Sequence, residues 1–600
     1  MTILPNTAPT MTRPTQNKGL STFFAKMQER HKLLLLSLVT GVCSGFAAVL
    51  LLFVIDKVKD AAQMIPSGSG WGWMLYLLPG LGMLLSFLLV RFLIKDNISH
   101  GVTKVLYAVS RNDSRIKPHN MWSSLAASSV TIGLGGSVGA EAPIVYTGAA
   151  IGSNIGRAAG LSYKNVTLLL GCGAAGAIAG IFKAPMAGIL FTVEILLFSV
   201  SLSNMVPMLL STLSAALISY IATGPMPVFA CNLTPFSMAN IPFYVLLGVI
   251  CSLGSLYFMR STLWLEDRFS RMGKPLLKWI LCALVLGFLI FLFPMLYGEG
   301  YDSLTALLTG ESISVFDKSA FSWLLDRNWG IPFFFLLVFL VKVVAMTLTN
   351  AGGGVGGTFG PTLFAGAVLG FVVARCINLL GYPAPEQNFV LVGMAGLMAG
   401  VMQAPMTAIF LVAEISGGYQ LMLPLIITAT ISFGVIRIFE HYSIYSKRIA
   451  QSGDLLTHDN DQAVMTLLKV ADLTRDKYPK VHPDDTLGQI VHIFKESTAQ
   501  IFAVVDDEGH LEGIVNIDKI HSLFTRTADF KRLHVSDFME QSPDIIKLDE
   551  KMDVVMSKFE STGAWRLPVV DSENHYLGCI SNARILMAYR DEIKAISAQD

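Results

Sequence analysis

The sequence predicts an α-helical membrane protein of many spans, made of two copies of one unit and followed by a separate α/β module. Three observations carry this. First, charge is sparse and uneven. Only 14% of the 600 residues are charged against 53% hydrophobic, and the mean hydropathy is +0.56. Residues 446–600 hold 18 basic and 26 acidic residues, which leaves Leu33–Tyr445 at about 9% charged, far below the ~25% of a soluble domain. Second, long apolar runs recur, many of a length that crosses ~30 Å of hydrocarbon. Third, the apolar body repeats itself. This composition excludes disorder, a collagen-like fibre and a small disulfide scaffold. It argues against an ordinary cytosolic enzyme, and the near-neutral balance argues against nucleic-acid binding. The seven cysteines are scattered, with no metal-ligand spacing, and read as buried small hydrophobes.

The first 32 residues are polar, with Lys18, Lys26, Arg30 and Lys32 near their end. The run Leu33–Ile55 follows. It is too long for a signal-peptide core, and its basic flank predicts a cytoplasmic N-terminus. Further apolar segments lie near 71–94, 121–157, 163–198, 204–222, 241–259, 276–296, 331–349, 361–378, 388–415 and 421–439. The expected organisation is an N-terminal segment (1–32), a first membrane half (33–222), a connecting loop (223–240), a second half (241–446), a linker (447–469) and a C-terminal module (470–600).

The two halves share motifs. Gly148–Gly152 through Arg157 matches Gly366–Gly370 through Arg375 at an offset of 218. Gly173–Ile195 matches Gly393–Ile415 at an offset of 220, with Ala-Pro-Met in both copies and a Glu eight residues after each Met (Glu194, Glu414). Glycine- and proline-broken helices at corresponding places in two copies point to a transport site at the repeat interface.

The breaks read GGSVGAEAP (Gly135–Pro143) and GGVGGTFGP (Gly353–Pro361). Each precedes a helical run, and proline suits a helix's first turn. Free N–H groups and positive dipole ends at mid-membrane would form an anion site. Neither motif contains Lys or Arg, and a dipole cage suits passage better than a fixed countercharge. Glu141 lies inside the first break. An ionisable side chain at that depth is a functional candidate, here a tethered competitor for the anion that protonation would release.

These motifs resemble the CLC family of chloride channels and chloride/proton antiporters, from near Leu33 to Tyr445. The resemblance implies a CLC-type inverted-repeat bundle, a homodimer with a pore in each subunit, both termini cytoplasmic, and residence in a plasma or bacterial inner membrane. It implies no enzymatic activity and no metal. The family's gating-glutamate motif reads Gly139-Ala140-Glu141-Ala142-Pro143, with Glu141 as the gate, and its Gly-x-Phe-x-Pro motif reads Gly357–Pro361. Gly298-Glu299-Gly300-Tyr301 looks like a further family marker. The implied anion-binding residues are His100, Gly101, Val102, Gly139, Thr358, Phe359, Gly360 and Tyr445. Three departures stand out. His100 occupies the place of the family's central serine, which leaves anion preference open. Ala140 and Ala142 replace the residues flanking the gating glutamate. Ile195 occupies the position of the antiporters' internal proton-transfer glutamate, which tilts the reading toward a channel and leaves chloride/proton exchange as the alternative. Glu194 could substitute as a proton carrier, although its counterpart Glu414 makes a structural role equally good for both. A carrier for another solute is the more remote alternative.

From about Val470 short strands alternate with amphipathic helices. Ala499–Ile520 matches Ala564–Ile585 at an offset of 65. Ile501–Val505, Gly513–Ile517, Leu567–Val570 and Leu577–Ser581 read as strands, and Asp506–Glu508 as a solvated turn. This region resembles a tandem CBS pair (about 470–530 and 535–592), a module that often binds adenine nucleotides. The candidate positions are Asn516, Asp518 and Ser581. The acidic ribose partner expected three residues on is Lys519 or Arg584 instead, so a structural or dimerising role is preferred and no cofactor is expected.

Overall fold

A computed structural model describes residues 28–64, 72–111, 114–198, 201–310, 319–451, 468–475, 478–497, 499–525 and 529–597. Lys18, Lys26 and most of the expected linker lie outside them. The chain divides into two compact units at Leu455/Leu456.

In the first unit the helices are α1 (Glu29–Gln63), α2 (Leu78–Leu88), α3 (Gly101–Arg111), α4 (Ser123–Gly133), α5 (Glu141–Ala158), α6 (Tyr163–Phe182), α7 (Pro185–Glu194), α8 (Leu202–Thr223), α9 (Ile241–Ser270), α10 (Pro275–Leu292), α11 (Tyr301–Thr309), α12 (Gly330–Ala351), α13 (Phe359–Leu379), α14 (Glu386–Met402), α15 (Pro405–Ile415), α16 (Met422–Phe439) and α17 (Ile444–Gln451). Among the described residues, nine helices are long and apolar enough to cross a membrane.

The expected segment 121–157 is two helices separated by the first break, with α5 starting two residues before Pro143. The segments 163–198 and 388–415, expected as single runs, are also each broken. Helix α6 ends on left-handed Lys183 (φ 54°) and α14 on left-handed Gln403 (φ 52°). Pro185 and Pro405 then open α7 and α15. A residue before proline is driven out of the helical region, so each Ala-Pro-Met is a stop and a restart.

The duplicated glycines explain the tight core. A methyl group on Gly152 would overlap the Leu169 carbonyl oxygen, and one on Gly370 would overlap that of Phe389. The backbones of α5 and α6, and of α13 and α14, therefore approach closely, as small residues permit between membrane helices. Consequently α5 is buried from Glu141 to Ser153 and α13 from Phe359 to Ala374. Outer helices show the opposite pattern: Leu209, Leu213 and Leu217 form an exposed apolar stripe along α8. Of the cysteines read as buried, Cys172, Cys251, Cys282 and Cys579 are so. Cys43 is exposed, on the apolar outer face of α1, and Cys231 and Cys376 are half-buried.

Among the described residues the second unit holds two three-stranded sheets, β1-β2-β3 and β4-β5-β6. The strands are β1 (Lys480–Val481), β2 (Ile501–Val505), β3 (Leu511–Asn516), β4 (Ile546–Lys547), β5 (Arg566–Val570) and β6 (Tyr576–Ser581). In each sheet the first pair is parallel and the second antiparallel, with a bulge at the same place (Val504/Val505 and Val569/Val570). The two-residue strands β1 and β4 carry too little periodicity to be read from sequence. The sheets meet through Ala503, Leu511, Val570, Tyr576 and Cys579. There the rings of His510 and His575 stack at 4.6 Å. The turn at Asp506 is more than solvated: its carboxylate accepts the His510 N–H at 2.7 Å and contacts His510 Nδ1 at 3.0 Å. Asp571 does the same for His575 at 2.8 and 3.0 Å.

Candidate functional site

The two broken segments meet. Gly139 and Gly357 exchange backbone hydrogen bonds, Gly139 N–H to Gly357 O at 3.0 Å and Gly357 N–H to Gly139 O at 2.7 Å. Each break is anchored on the other repeat. Ser137 N–H donates to Thr349 Oγ1 at 3.2 Å, and Val355 N–H donates to Thr131 Oγ1 at 3.1 Å. The N-termini of α5 and α13 are thereby brought face to face in the core, where first-turn N–H groups lack intrahelical acceptors.

Glu141 is the first residue of α5 and is 1% exposed. One carboxylate oxygen accepts the Gly360 N–H of α13 at 3.1 Å, and the other accepts the Tyr301 hydroxyl at 2.5 Å. The glycines make this possible. A methyl on Gly139 would overlap the Glu141 carboxylate, and one on Gly360 would stand 2.9 Å from Glu141 Oε1. The carboxylate thus sits on a helix N-terminus, a place suited to an anion.

A small cavity beside it is lined by His100, Ala142, Gly356, Gly357, Thr358, Ile444 and Tyr445. Thr358 Oγ1 donates to the Tyr445 hydroxyl at 3.2 Å. His100 reaches the cavity from left-handed backbone (φ 57°) just ahead of α3. Of the predicted anion-binding residues, His100, Thr358 and Tyr445 are brought together here, whereas Gly139 and Gly360 flank the Glu141 carboxylate. Gly101, Val102 and Phe359 are not among the cavity-lining residues. Gly101 lets α3 close on Ala142, whose carbonyl oxygen a methyl would meet at 2.5 Å. Val102 is core, and the Phe359 ring packs against Phe182 and Phe191 at 5.7 and 6.1 Å.

Glu194 and Glu414 cap one another's repeat. Glu414 accepts the N–H groups of Met186 and Ala187 at the start of α7, at 3.1 and 2.9 Å. Glu194 accepts those of Met406 and Thr407 at the start of α15, at 3.0 and 2.7 Å, with the Thr407 hydroxyl at 2.7 Å. Each carboxylate neutralises the positive end of a proline-started helix. Ile195 beside Glu194 is buried. In the second unit Asn516 accepts the Asp518 N–H at 3.1 Å and Ser581 Oγ accepts the Arg584 N–H at 3.3 Å, both as local caps, and Asp518 is exposed.

Two further groups belong to the site. Lys342 of α12 is fully buried, donating to Ser137 Oγ at 2.9 Å and to the carbonyls of Gly298 and Glu299 at 3.1 and 3.2 Å. The breaks contain no cation, yet the fold delivers one to them. A lone lysine inside the apolar run of α12 is the sequence signal for it. Glu299 accepts the Ala140 N–H at 2.9 Å, one peptide unit from Glu141. Together with Tyr301 it gives chemical content to a motif that the sequence presents only as a marker.

Comparison with known proteins agrees with this architecture. The family model described as "Voltage gated chloride channel" matches residues 81–437, and CBS domains match 470–524 and 535–591. The chain is 28% identical over 391 residues to a putative chloride channel protein ClcB-like of Ralstonia nicotianae, covering 64% of this chain and 87% of that protein. It is 26% identical over 466 residues to the H(+)/Cl(-) exchange transporter ClcA of Salmonella paratyphi B, covering 73% and 93%. The crystal structure of a slow cyanobacterial Cl-/H+ antiporter shares the fold with a TM-score of 0.62 at 21% identity, over 71% of this chain and 99% of that one.

Proposed function

The chain belongs to the voltage-gated chloride channel family, and on that premise we propose that it moves chloride across a bilayer along a path gated by Glu141 in each subunit of a homodimer, with both termini cytoplasmic. One observation carries the reading: the Glu141 carboxylate is seated on the Gly360 N–H and the Tyr301 hydroxyl, beside a cavity lined by His100, Thr358 and Tyr445. A carboxylate there stands where a chloride ion would accept the same donors, so the ion and the side chain compete. Protonation removes the charge that holds the side chain on those donors and opens the path.

Passive conduction is the favoured form. Ile195 cannot carry a proton, and Glu194 is engaged as a helix cap. Chloride/proton exchange is the second reading, favoured by the carboxylate of Glu299 one peptide unit from the gate. The test is the reversal potential of the reconstituted protein under opposed chloride and pH gradients. A potential that follows chloride alone supports conduction. A potential displaced by the pH gradient establishes exchange, and the absence of any chloride flux refutes both. The CBS pair is assigned a structural and dimerising role.

A further inference from the structure

Glu141 is sealed in the core, so a gate that opens by protonation needs a group to bring it the proton. Resting on the gate reading above, we propose that Glu299 is the proton-delivery residue of the gate, taking a proton from solution and passing it to Glu141. Three observations support this. Glu299 is half-buried whereas Glu141 is 1% exposed. Three residues along the chain from Glu299, Asp302 in the first turn of α11 is exposed and pairs with Lys59 of α1 at 2.7 Å, so a few residues of chain connect the surface to the gate. The Glu299 carboxylate is fixed on the Ala140 N–H, directly before Glu141.

The titratable and charged groups around Glu299 are Glu141 of α5, Tyr301 of α11, Lys342 of α12 and Lys59 of α1. Glu141 is the recipient, and each of the other three has a reason not to be the carrier. Tyr301 already donates its hydroxyl proton to Glu141. The Lys342 ammonium is held by Ser137 and two backbone carbonyls, and Lys59 is engaged with Asp302. A carboxyl group exchanges protons with water rapidly at mildly acidic pH. In the step, a hydronium ion gives a proton to the Glu299 carboxylate and becomes water, the Glu299 O–H bond then breaks as that proton bonds to a Glu141 oxygen, and Glu299 is left as the carboxylate it began as. The sum is one proton moved from solution to the gate.

The experiment uses full-length protein in chloride-loaded liposomes, jumped from pH 7.5 to 4.5 on the side facing Asp302, with chloride efflux followed in time. In Glu299→Gln the rise of flux after the jump is slower by at least about tenfold, and the flux finally reached at pH 4.5 reports that the protein is folded. Glu299→Asp, which keeps a carboxyl group, restores the fast rise. In a Glu141→Gln background, Glu299→Gln changes nothing. A rise in Glu299→Gln as fast as in the parent overturns the proposal, as does a Glu299→Asp as slow as Glu299→Gln. A full pH response in Glu141→Gln overturns the gate reading itself, and this proposal with it, whatever Glu299→Gln does.

Discussion

Replacing Glu141 by glutamine is the most direct perturbation of the proposed gate, and its size follows from two contacts. The carboxylate accepts one backbone N–H, from Gly360, and one hydroxyl, from Tyr301. Hydrogen bonds to a charged acceptor are worth about 1.5–3 kcal/mol, against about 0.5–1.5 for a neutral one. Each contact therefore weakens by about 1–1.5 kcal/mol, and the seated state loses about 2–3 kcal/mol. At about 1.4 kcal/mol per factor of ten, the seated side chain gives way to chloride roughly 30–150-fold more readily. Chloride efflux from liposomes should rise at neutral pH and become flat between pH 7.5 and 4.5, because the variant resembles the protonated glutamate at every pH. Glutamine has nearly the shape of glutamate, so packing around α5 should persist. A Glu141→Gln protein whose flux still climbs on acidification, with the parent's midpoint, refutes the reasoning: the pH-sensing group would then lie elsewhere.

Three further outcomes are expected. Glu194→Ala strips three hydrogen bonds from the start of α15 and Glu414→Ala strips two from the start of α7, so each should destabilise the protein by about 2–4 kcal/mol. Thermal unfolding in detergent should rank Glu194→Ala below Glu414→Ala, and a parent-like midpoint for either contradicts the capping role. Gly152→Ala drives a methyl into the Leu169 carbonyl and should cost at least about 1–3 kcal/mol, read as loss of monodisperse protein, whereas Gly434→Ala meets open space and should be neutral. In the second unit Asp506 raises the proton affinity of His510 above its ordinary value of 6.5, and His510 holds Asp506 below its ordinary 3.8. The histidine's stabilisation is complete below 6.5 and lost as pH rises through its raised value. The aspartate's is present above 3.8 and lost as pH falls through its lowered value. Hydrogen exchange of β2 and β3 in the full-length protein, corrected for intrinsic rate, should show stronger protection at pH 6 than at pH 8. Asp506→Asn should shrink that difference, and an equal difference in the variant would contradict the pairing.

Much of the fold was legible because membrane burial and duplication leave strong marks. An apolar run above about 18 residues has few alternatives to a span, and an offset of 218 pairs Gly135 with Gly353 and Gly139 with Gly357 without any structure. The Ala-Pro-Met breaks were harder. A proline inside an apolar run is compatible with a kinked helix, and only the left-handed Lys183 and Gln403 reveal a stop. Of the residues implied at the anion site, His100, Thr358 and Tyr445 do line one cavity. Gly101 and Val102 share the same short motif but contribute close packing and core, since only some positions of a turn can face the same side. Glu299 and Tyr301 stood in a motif without an assigned role and Lys342 was not singled out at all, because their partners are about 40 to 200 positions away in the chain.

The sequence by itself determined that this protein spans a membrane, that it is two copies of one unit with glycine- and proline-broken segments, and that a paired α/β module follows. Those properties are sums over many residues or local backbone preferences, and they are written in composition, period and repeat. The tertiary structure alone decided which residues share a site. It set Glu141 on a helix end from the other repeat, brought Lys342 to a motif without a cation, and made Glu194 and Glu414 cap each other's half. Hydrogen bonds act over about 3 Å, and proximity at that scale between residues so distant in the chain is set by the packing of whole helices, which no local pattern encodes.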